Sequence, residues 1–214
     1  MMSGKDNLFD KWAESYDSES VKVQWHGPAM IFGLMYPYVM AGQTLLDLGI
    51  GTGLGAMPFH KAGLKISGID SSPTMLEQCR KKDLGFDLVL HDLEQTPWPF
   101  KENTYNHIIS TGVFHSLGDL RDIIGEAARV LKTSGMFAFD YFEYFPDADD
   151  DFELYKDGIY TRYNTEYNHK IYKHTEDYIS GLLTENNFEI LHDAEFLASG
   201  KLKKYFRVYV SKLK

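Results

Sequence analysis

The 214-residue chain has one cysteine, Cys79, so an intrachain disulfide is excluded and a reducing cytoplasm is the expected home. Cys79 falls in a predicted helix without a CxxC partner and reads as packing. Basic residues are also short: 22 Lys and Arg stand against 31 Asp and Glu, for a net charge of −9. That balance argues against broad contact with a nucleic-acid backbone, which needs clustered cations, and fits simple solubility. No long apolar run is present. Pro28 to Leu48 is the longest uncharged stretch, broken by Asp47, and Gly33, Pro37 and Gly42 interrupt it, so no membrane span is expected. The first dozen residues carry Lys5, Asp6, Asp10 and Lys11 and lack the apolar heart of a signal peptide. Among eight histidines there is no HExxH or similar ligand set, so no metal is implied.

What is present alternates. Asp6 to Asp17 carries Leu8, Phe9, Trp12, Ala13 and Tyr16 in a helical stripe, and Pro28 opens a second helix ending near Gly42. Residues 1–42 thus read as a helical lid region. Thr44 to Leu48 is a short apolar run of the buried parallel-strand type. A helix follows over Gly53 to Ala62, started late or kinked by Pro58 and stopped at Gly63. Lys65 to Asp70 is a second strand, and Ser72-Pro73 caps the next helix. Phe86 to Leu90 and Tyr105 to Ser110 are strands three and four. Leu120, Ile123, Ile124, Ala127, Val130 and Leu131 share a helical face, with Gly135 as the stop and Met136 to Tyr141 as strand five. Asn106 is read as a surface substitution. The tail differs: a helix capped by Thr175 reaches Asn187, and strands at Phe188–Glu195 and Tyr205–Val210 are joined only by a loop, so they pair antiparallel. The expectation is one α/β domain, a Rossmann-like doubly wound sheet.

The chemistry centres on Asp47-Leu48-Gly49-Ile50-Gly51-Thr52-Gly53, where a strand must turn sharply into a helix. Glycines there let a ligand approach bare backbone, in the crevice at the strand carboxyl ends. Two more acids end neighbouring strands. Asp70 is placed to accept both ribose hydroxyls of a nucleoside, and Asp92 to accept from an adenine amino group. Gly51-Thr52-Gly53-Leu54-Gly55-Ala56 also satisfies the dinucleotide fingerprint, so an NAD-dependent oxidoreductase is the alternative. Asp47 before the glycines and the Asp92 position count against it.

These stretches resemble the class I S-adenosylmethionine-dependent methyltransferases. The likeness is to the small-molecule branch that holds the ubiquinone/menaquinone and malonyl-carrier-protein enzymes. It is carried by LLDLGIGTG at Leu45–Gly53, GIDSSPTML at Gly68–Leu76, HDLEQTPWPF at His91–Phe100, HIISTGVFHSLGDL at His107–Leu120 and EAARVLKTSGMFAF at Glu126–Phe139, with an amino-terminal helix at Phe9–Asp17. Only about Phe142–His174 falls outside it. The resemblance implies seven strands in the order 3-2-1-4-5-7-6, with strand 7 antiparallel. It implies S-adenosylmethionine as cofactor, S-adenosylhomocysteine as product and a small-molecule acceptor. By it, the backbone at Gly49, Gly51 and Gly53 lines the methionine portion and Asp47 holds that portion's ammonium. Asp70 takes the ribose beside Ser71, Asp92 and Leu93 read the adenine with Met75 packed on the ring, and Ser110 and Thr111 lie under the sulfonium. His115 is a candidate base or a shaper of the acceptor site. Tyr16 is a candidate lid over the reacting end or a packing residue, as is Trp12. A silent cofactor-binding domain is the third class.

Residues 142–174 read as an insertion rich in aromatics, from Phe142 and Tyr144 to Tyr172, with acids Asp147 and Asp149 to Asp151. It is either a wall over the acceptor or a hairpin, Ile159–Tyr163 against Lys170–His174, packing its own rings. Lys201, Lys203, Lys204 and Arg207 are read as solvating the last strand.

Overall fold

The computed structural model describes residues 12–165 and 168–214. Helices α1 (Tyr16–Lys22) and α2 (Gly27–Met35) open the described chain. Residues 6–11 of the expected first helix lie outside the described residues. Then come β1 (Thr44–Leu48), α3 (Met57–Lys61), β2 (Lys65–Asp70), α4 (Pro73–Lys81), β3 (Asp87–Leu90) and β4 (Tyr105–Ser110). Helix α5 (Arg121–Val130) leads into β5 (Leu131–Tyr141). A small sheet follows, made of β6 (Glu153–Lys156), β7 (Ile159–Asn164) and β8 (His169–His174). Helix α6 (Glu176–Glu185), β9 (Phe188–Ser199) and β10 (Lys204–Leu213) close the chain.

The main sheet has seven strands in the order β3-β2-β1-β4-β5-β10-β9, with β10 antiparallel to both neighbours. This is the order and polarity the sequence leads one to expect. Both faces are covered, which explains the near-continuous apolar runs. Alternate residues separate cleanly: Leu45 and Ile109 pack with Ile31, Met35, Phe59 and Leu76 of α2, α3 and α4. Leu46, Leu48 and Ile108 pack with Ile123, Ala127, Ile179 and Leu183 of α5 and α6. Two expected caps are present. The Ser72 hydroxyl accepts from the Met75 N–H at 3.1 Å, and Thr175 accepts from Tyr178 N–H at 3.3 Å. Pro58 sits in the first turn of α3 and delays its start, as its missing N–H requires.

Two local readings are corrected. Gly135 does not stop a helix. Helix α5 ends at Val130 and the chain enters β5 at once, with Leu131 beside Tyr105 and a register shift before His107 pairs with Met136. Gly135 is needed inside that irregular strand start, because a Cβ there would stand 2.7 Å from the Lys132 carbonyl and 3.0 Å from the Asn106 carbonyl. Nor is Asn106 a surface substitution. Its Oδ1 accepts from the Thr44 N–H at 3.1 Å, from the Thr44 hydroxyl at 3.0 Å and from Lys132 Nζ at 3.2 Å, which fastens the start of β1 to β4. Cys79 is buried, and burial pushes its thiol up to about 11, so it stays a neutral packing group.

One polar network fixes the loop after β3. The Glu126 carboxylate accepts from the Trp98 N–H at 2.7 Å and from Arg129 Nε and Nη2 at 2.7 Å each. The Trp98 indole N–H donates to the Leu93 carbonyl at 3.1 Å. The Arg129 bond holds the Glu126 carboxyl below the ordinary glutamate range, against burial. Its stabilising share is therefore full above the unfolded pKa and lost as pH falls through the lower folded one. Glu126→Ala strands a buried N–H and a guanidinium, so urea unfolding should show a loss of about 1–3 kcal/mol. Glu126→Gln should lose less at neutral pH, and its deficit against the natural chain should shrink as pH drops below the glutamate range.

Candidate functional site

The strand order places the carboxyl ends of β1, β2, β3 and β4 side by side, and the glycine turn leaves β1 there. Gly49 takes φ of +68°, and a Cβ on it would stand 2.5 Å from Val113, so only a bare backbone fits between that side chain and the turn. Asp70 braces the turn from the next strand. Its Oδ2 accepts from the Gly51 N–H at 2.8 Å, while its Oδ1 accepts from the Ser72 N–H at 2.8 Å at the start of α4. On the other side, the Thr52 hydroxyl donates to Asp17 at 2.5 Å, and Lys82 bonds both Asp17, at 2.6 Å, and the Thr52 carbonyl, at 2.7 Å. The amino-terminal helix α1 is thereby tied to the glycine turn.

A slot of about 120 Å³ opens here, with Gly49 and Gly51 at one end, Asp70, Ser71 and Met75 along it, and Asp92 and Leu93 at the other. Thr111, Tyr16 and the turn Gly112-Val113-Ser116-Leu117 complete the wall. Of the residues singled out in the sequence, eight line it besides Tyr16: Gly49, Gly51, Asp70, Ser71, Met75, Asp92, Leu93 and Thr111. Asp47, Gly53 and Ser110 stand behind the wall. Asp47 is buried, and burial followed by the Asp70 charge pushes its carboxyl well above the usual range. A Cβ at Gly53 would meet Cys79 at 3.0 Å. The Ser110 hydroxyl donates to the Leu48 carbonyl at 3.1 Å, fastening β4 to β1. Gly112, Val113, Ser116 and Leu117 lie within His107–Leu120, but sequence does not say which residues of a turn face inward.

A second cavity of about 520 Å³ adjoins the first. Tyr16 and Gly112 belong to both. Its floor is aromatic: Trp25 lies 5.1 Å from Phe206, Phe142 lies 4.2 Å from Phe206, and His115 lies 5.0 Å from Phe142, ring centre to ring centre. Trp12, Glu19, His169, Leu202 and Lys204 contribute to the rest of its wall. Of the expected insertion, Phe142, Asn164, His169 and Ile171 line this cavity. Most of its other rings pack among themselves, with Tyr144 stacked on Tyr160 at 3.4 Å and Tyr155 edge-on to Tyr172 at 5.5 Å. Strands β7 and β8 form a hairpin that pairs Ile159 with His174 and Tyr163 with Lys170, and β6 adds a third strand. The hairpin docks on the main domain through His174, whose Nε2 donates to the Gly118 carbonyl at 2.8 Å.

The electrostatics assign states to the two candidate reactive groups. Burial, followed by the charges of Asp140, Asp70, Asp17 and Asp47, pushes the Tyr16 phenol up to about 12, so it is a neutral donor. Burial pulls His115 down to about 3, and its Nδ1 is buried without a hydrogen-bond partner. Among the described residues no group of three or more His, Cys, Asp or Glu is placed to hold a metal, and no helix is long and apolar enough to cross a membrane.

Residues 46–139 match the family model described as a methyltransferase domain. A demethylmenaquinone methyltransferase of Tropheryma whipplei is 29% identical over 135 residues, 60% of this chain and 54% of that protein. A malonyl-[acyl-carrier protein] O-methyltransferase of Serratia marcescens is 28% identical over 134 residues, 62% of this chain and 50% of that protein. The chain thus spans about half the length of these curated relatives. In fold it is similar to the crystal structure of a 1,6-didemethyltoxoflavin-N1-methyltransferase of Burkholderia thailandensis, with a TM-score of 0.71 and 15% identity, over 97% of this chain and 87% of that one.

The state of His115 is open to a direct check. Its imidazole signals, followed by long-range 1H–15N NMR, should stay those of a neutral ring with no titration between about pH 5 and 8, where an ordinary histidine titrates. A midpoint near the usual histidine value would restore it as a candidate base.

Proposed function

With residues 46–139 carrying a methyltransferase domain, we propose that the chain moves the methyl group of S-adenosylmethionine to a small-molecule acceptor. The observation that carries this reading is the pair of adjoining cavities, which share Tyr16 and Gly112 in their walls. One has nucleoside-binding chemistry along it, and the other is closed in by aromatic rings. The donor set suits the cofactor. Asp70 offers carboxylate lone pairs to the ribose, with Ser71 beside it. Asp92 and the Leu93 backbone face the adenine end, where Met75 offers an apolar surface. The turn at Gly49 and Gly51 presents backbone to the methionine portion. Gly53 shapes that turn, and the buried Asp47 stands near the end of the strand before it.

The bound sulfonium supplies the electrophile for an in-line displacement. The residues here supply position and dryness. Tyr16 and Gly112 form the passage between the cavities, Thr111 and Ser110 hold the end of β4 beneath it, and the rings of Trp25, Phe142 and Phe206 exclude water. Orientation of this kind is worth on the order of 7–11 kcal/mol in an ideal case. A neutral His115 packed on Phe142 and Phe206 shapes the acceptor surface, and a neutral Tyr16 donates a hydrogen bond at the passage.

A compact acceptor is favoured over RNA, DNA or a folded protein. The outer cavity is a pocket of about 520 Å³, the net charge is −9, and a cytoplasmic small molecule suits both. Transfer of labelled methyl in a crude extract should therefore survive nuclease treatment and removal of macromolecules by ultrafiltration. Label confined to the retained fraction would replace the acceptor class and leave the cofactor reading intact.

For the cofactor itself, S-adenosylhomocysteine at a hundredfold excess over its Kd should stabilise the fold by about 2.7 kcal/mol, roughly 5–10 °C in Tm, while NAD leaves Tm unchanged. The reverse preference would overturn the reading. Asp70→Ala should weaken S-adenosylhomocysteine by about 1.5–3 kcal/mol per charge-assisted bond lost, measured by calorimetry on the folded variant.

A further inference from the structure

The apolar run of β5 is broken once near its end, by Asp140, whose exposure is 0%. Its Oδ1 accepts from the Gly112 N–H at 2.7 Å. Its Oδ2 is buried and has no hydrogen-bond partner. A buried carboxylate with one oxygen unmatched is costly, and such groups tend to mark function rather than packing. Its surroundings fix its place. A Cβ built on Gly27 would stand 2.9 Å from Oδ2, 2.5 Å from the Trp25 ring and 2.8 Å from the Thr111 methyl. Asp140 therefore sits directly behind the wall that Thr111 and Gly112 present to the cavities, with Trp25 over it. The titratable groups that face it are Tyr16 of α1 and Asp47 of β1, with Asp70 bearing on both of those, and none of the three is cationic. Burial pushes the Asp140 carboxyl up to about 7, against the pull of the Gly112 N–H.

Resting on the methyltransferase reading, the next step is spatial. A methyl group that passes from one cavity to the other must cross at Tyr16 and Gly112, the two residues common to both. In that reading the sulfur would lie on the cofactor side of Gly112, whose N–H is bonded to Asp140. We propose that Asp140 is a positioning residue that answers to the charge on this sulfur, ionised behind Gly112 while a sulfonium is bound and protonated once a neutral thioether is left. In the transfer, the S–CH3 bond breaks with its electron pair kept by sulfur, and the acceptor lone pair forms the new bond to carbon. The acceptor's proton leaves, and Asp140 takes up one proton in the same turnover. The buried charge then balances on both sides of the reaction: one cation and one anion before, two neutral groups after. A neutral Asp140 no longer favours a cation at the passage, so the proton uptake weakens any preference for sulfonium over thioether when product is to leave.

The test needs no acceptor. Calorimetry measures the Kd of S-adenosylmethionine and of S-adenosylhomocysteine on the full chain from about pH 5.5 to about 8.5. The two ligands differ at sulfur, and the shift the sulfonium imposes on the ligand's own ammonium is common to the natural chain and Asp140→Asn, so the difference between the two chains' affinity ratios isolates Asp140. The preference for S-adenosylmethionine should rise with pH through the midpoint by up to about tenfold per unit and then level off. Its binding should release more protons than that of S-adenosylhomocysteine, read from heats in two buffers. Asp140→Asn keeps an acceptor for the Gly112 N–H and should make that rise shallower. A ratio with the same pH dependence in the natural chain and in Asp140→Asn overturns the proposal. Should the variant not fold, the 13C carboxyl signal of Asp140 decides: titration at the same pH in both complexes overturns it. Binding of neither ligand at any pH would instead defeat the methyltransferase reading itself.

Discussion

One carboxylate organises the cofactor half of this molecule. Asp70 ends β2 and accepts from Gly51 on the glycine turn and from Ser72 at the start of α4. Two segments that leave neighbouring strands are thus held to a single anion, and their positive φ values and cap geometry become mutually dependent. The same position is where a ribose would meet the protein. A ligand there meets a carboxylate already oriented by backbone, so little side-chain entropy remains to be lost on binding. Next to it, Asp17 draws α1 onto the turn through Thr52 and Lys82. Asp17 and Lys82 are partly exposed and screened, so this tie is weaker than the Asp70 brace and is the natural place for the site to open.

Acids gather around Tyr16: Asp140, Asp70, Asp17 and Asp47 all bear on it. Burial first, and these charges after it, raise the Tyr16 phenol, and burial followed by Asp70 raises the Asp47 carboxyl. A cationic ligand reverses the sign of that penalty. The arrangement that costs stability in the empty protein is thus a source of affinity for a positively charged guest.

The first half of the fold was legible because parallel strands buried on both faces leave short apolar runs between glycine and cap signals, as at Leu45–Leu48 and Ser72-Pro73. The strand order followed from the resemblance and agreed with the loop between β9 and β10. The start of β5 was not legible, since Gly135 after an amphipathic helix looks like a C-terminal stop and nothing local shows that the chain runs straight from helix to strand. Strand β6 left no trace because all four residues of Glu153–Lys156 are exposed, so no alternation marks it. Within the site, sequence picked out residue types and not the direction they face. Thr111 lines the slot, whereas Ser110, one residue before it at the end of β4, turns its hydroxyl to the Leu48 carbonyl. Asp140 did carry a signal: a lone acid in Met136–Tyr141, a run otherwise fit for a buried strand.

The two cavities draw on different parts of the chain. Every residue of the inner slot except Tyr16 falls within 46–139, whereas only Gly112 and His115 of the outer cavity do. The outer walls come from the amino-terminal segment, the strand insertion and the β9–β10 hairpin, which in sequence are three separate stretches. Substitution in any of them reshapes the outer chamber while the Asp70 brace and the glycine turn stay untouched. The seam at Tyr16 and Gly112 is therefore also the edge of the matched segment: the slot is built almost wholly inside it, and the outer chamber almost wholly outside it, so the outer chamber can take a different guest without rebuilding the first.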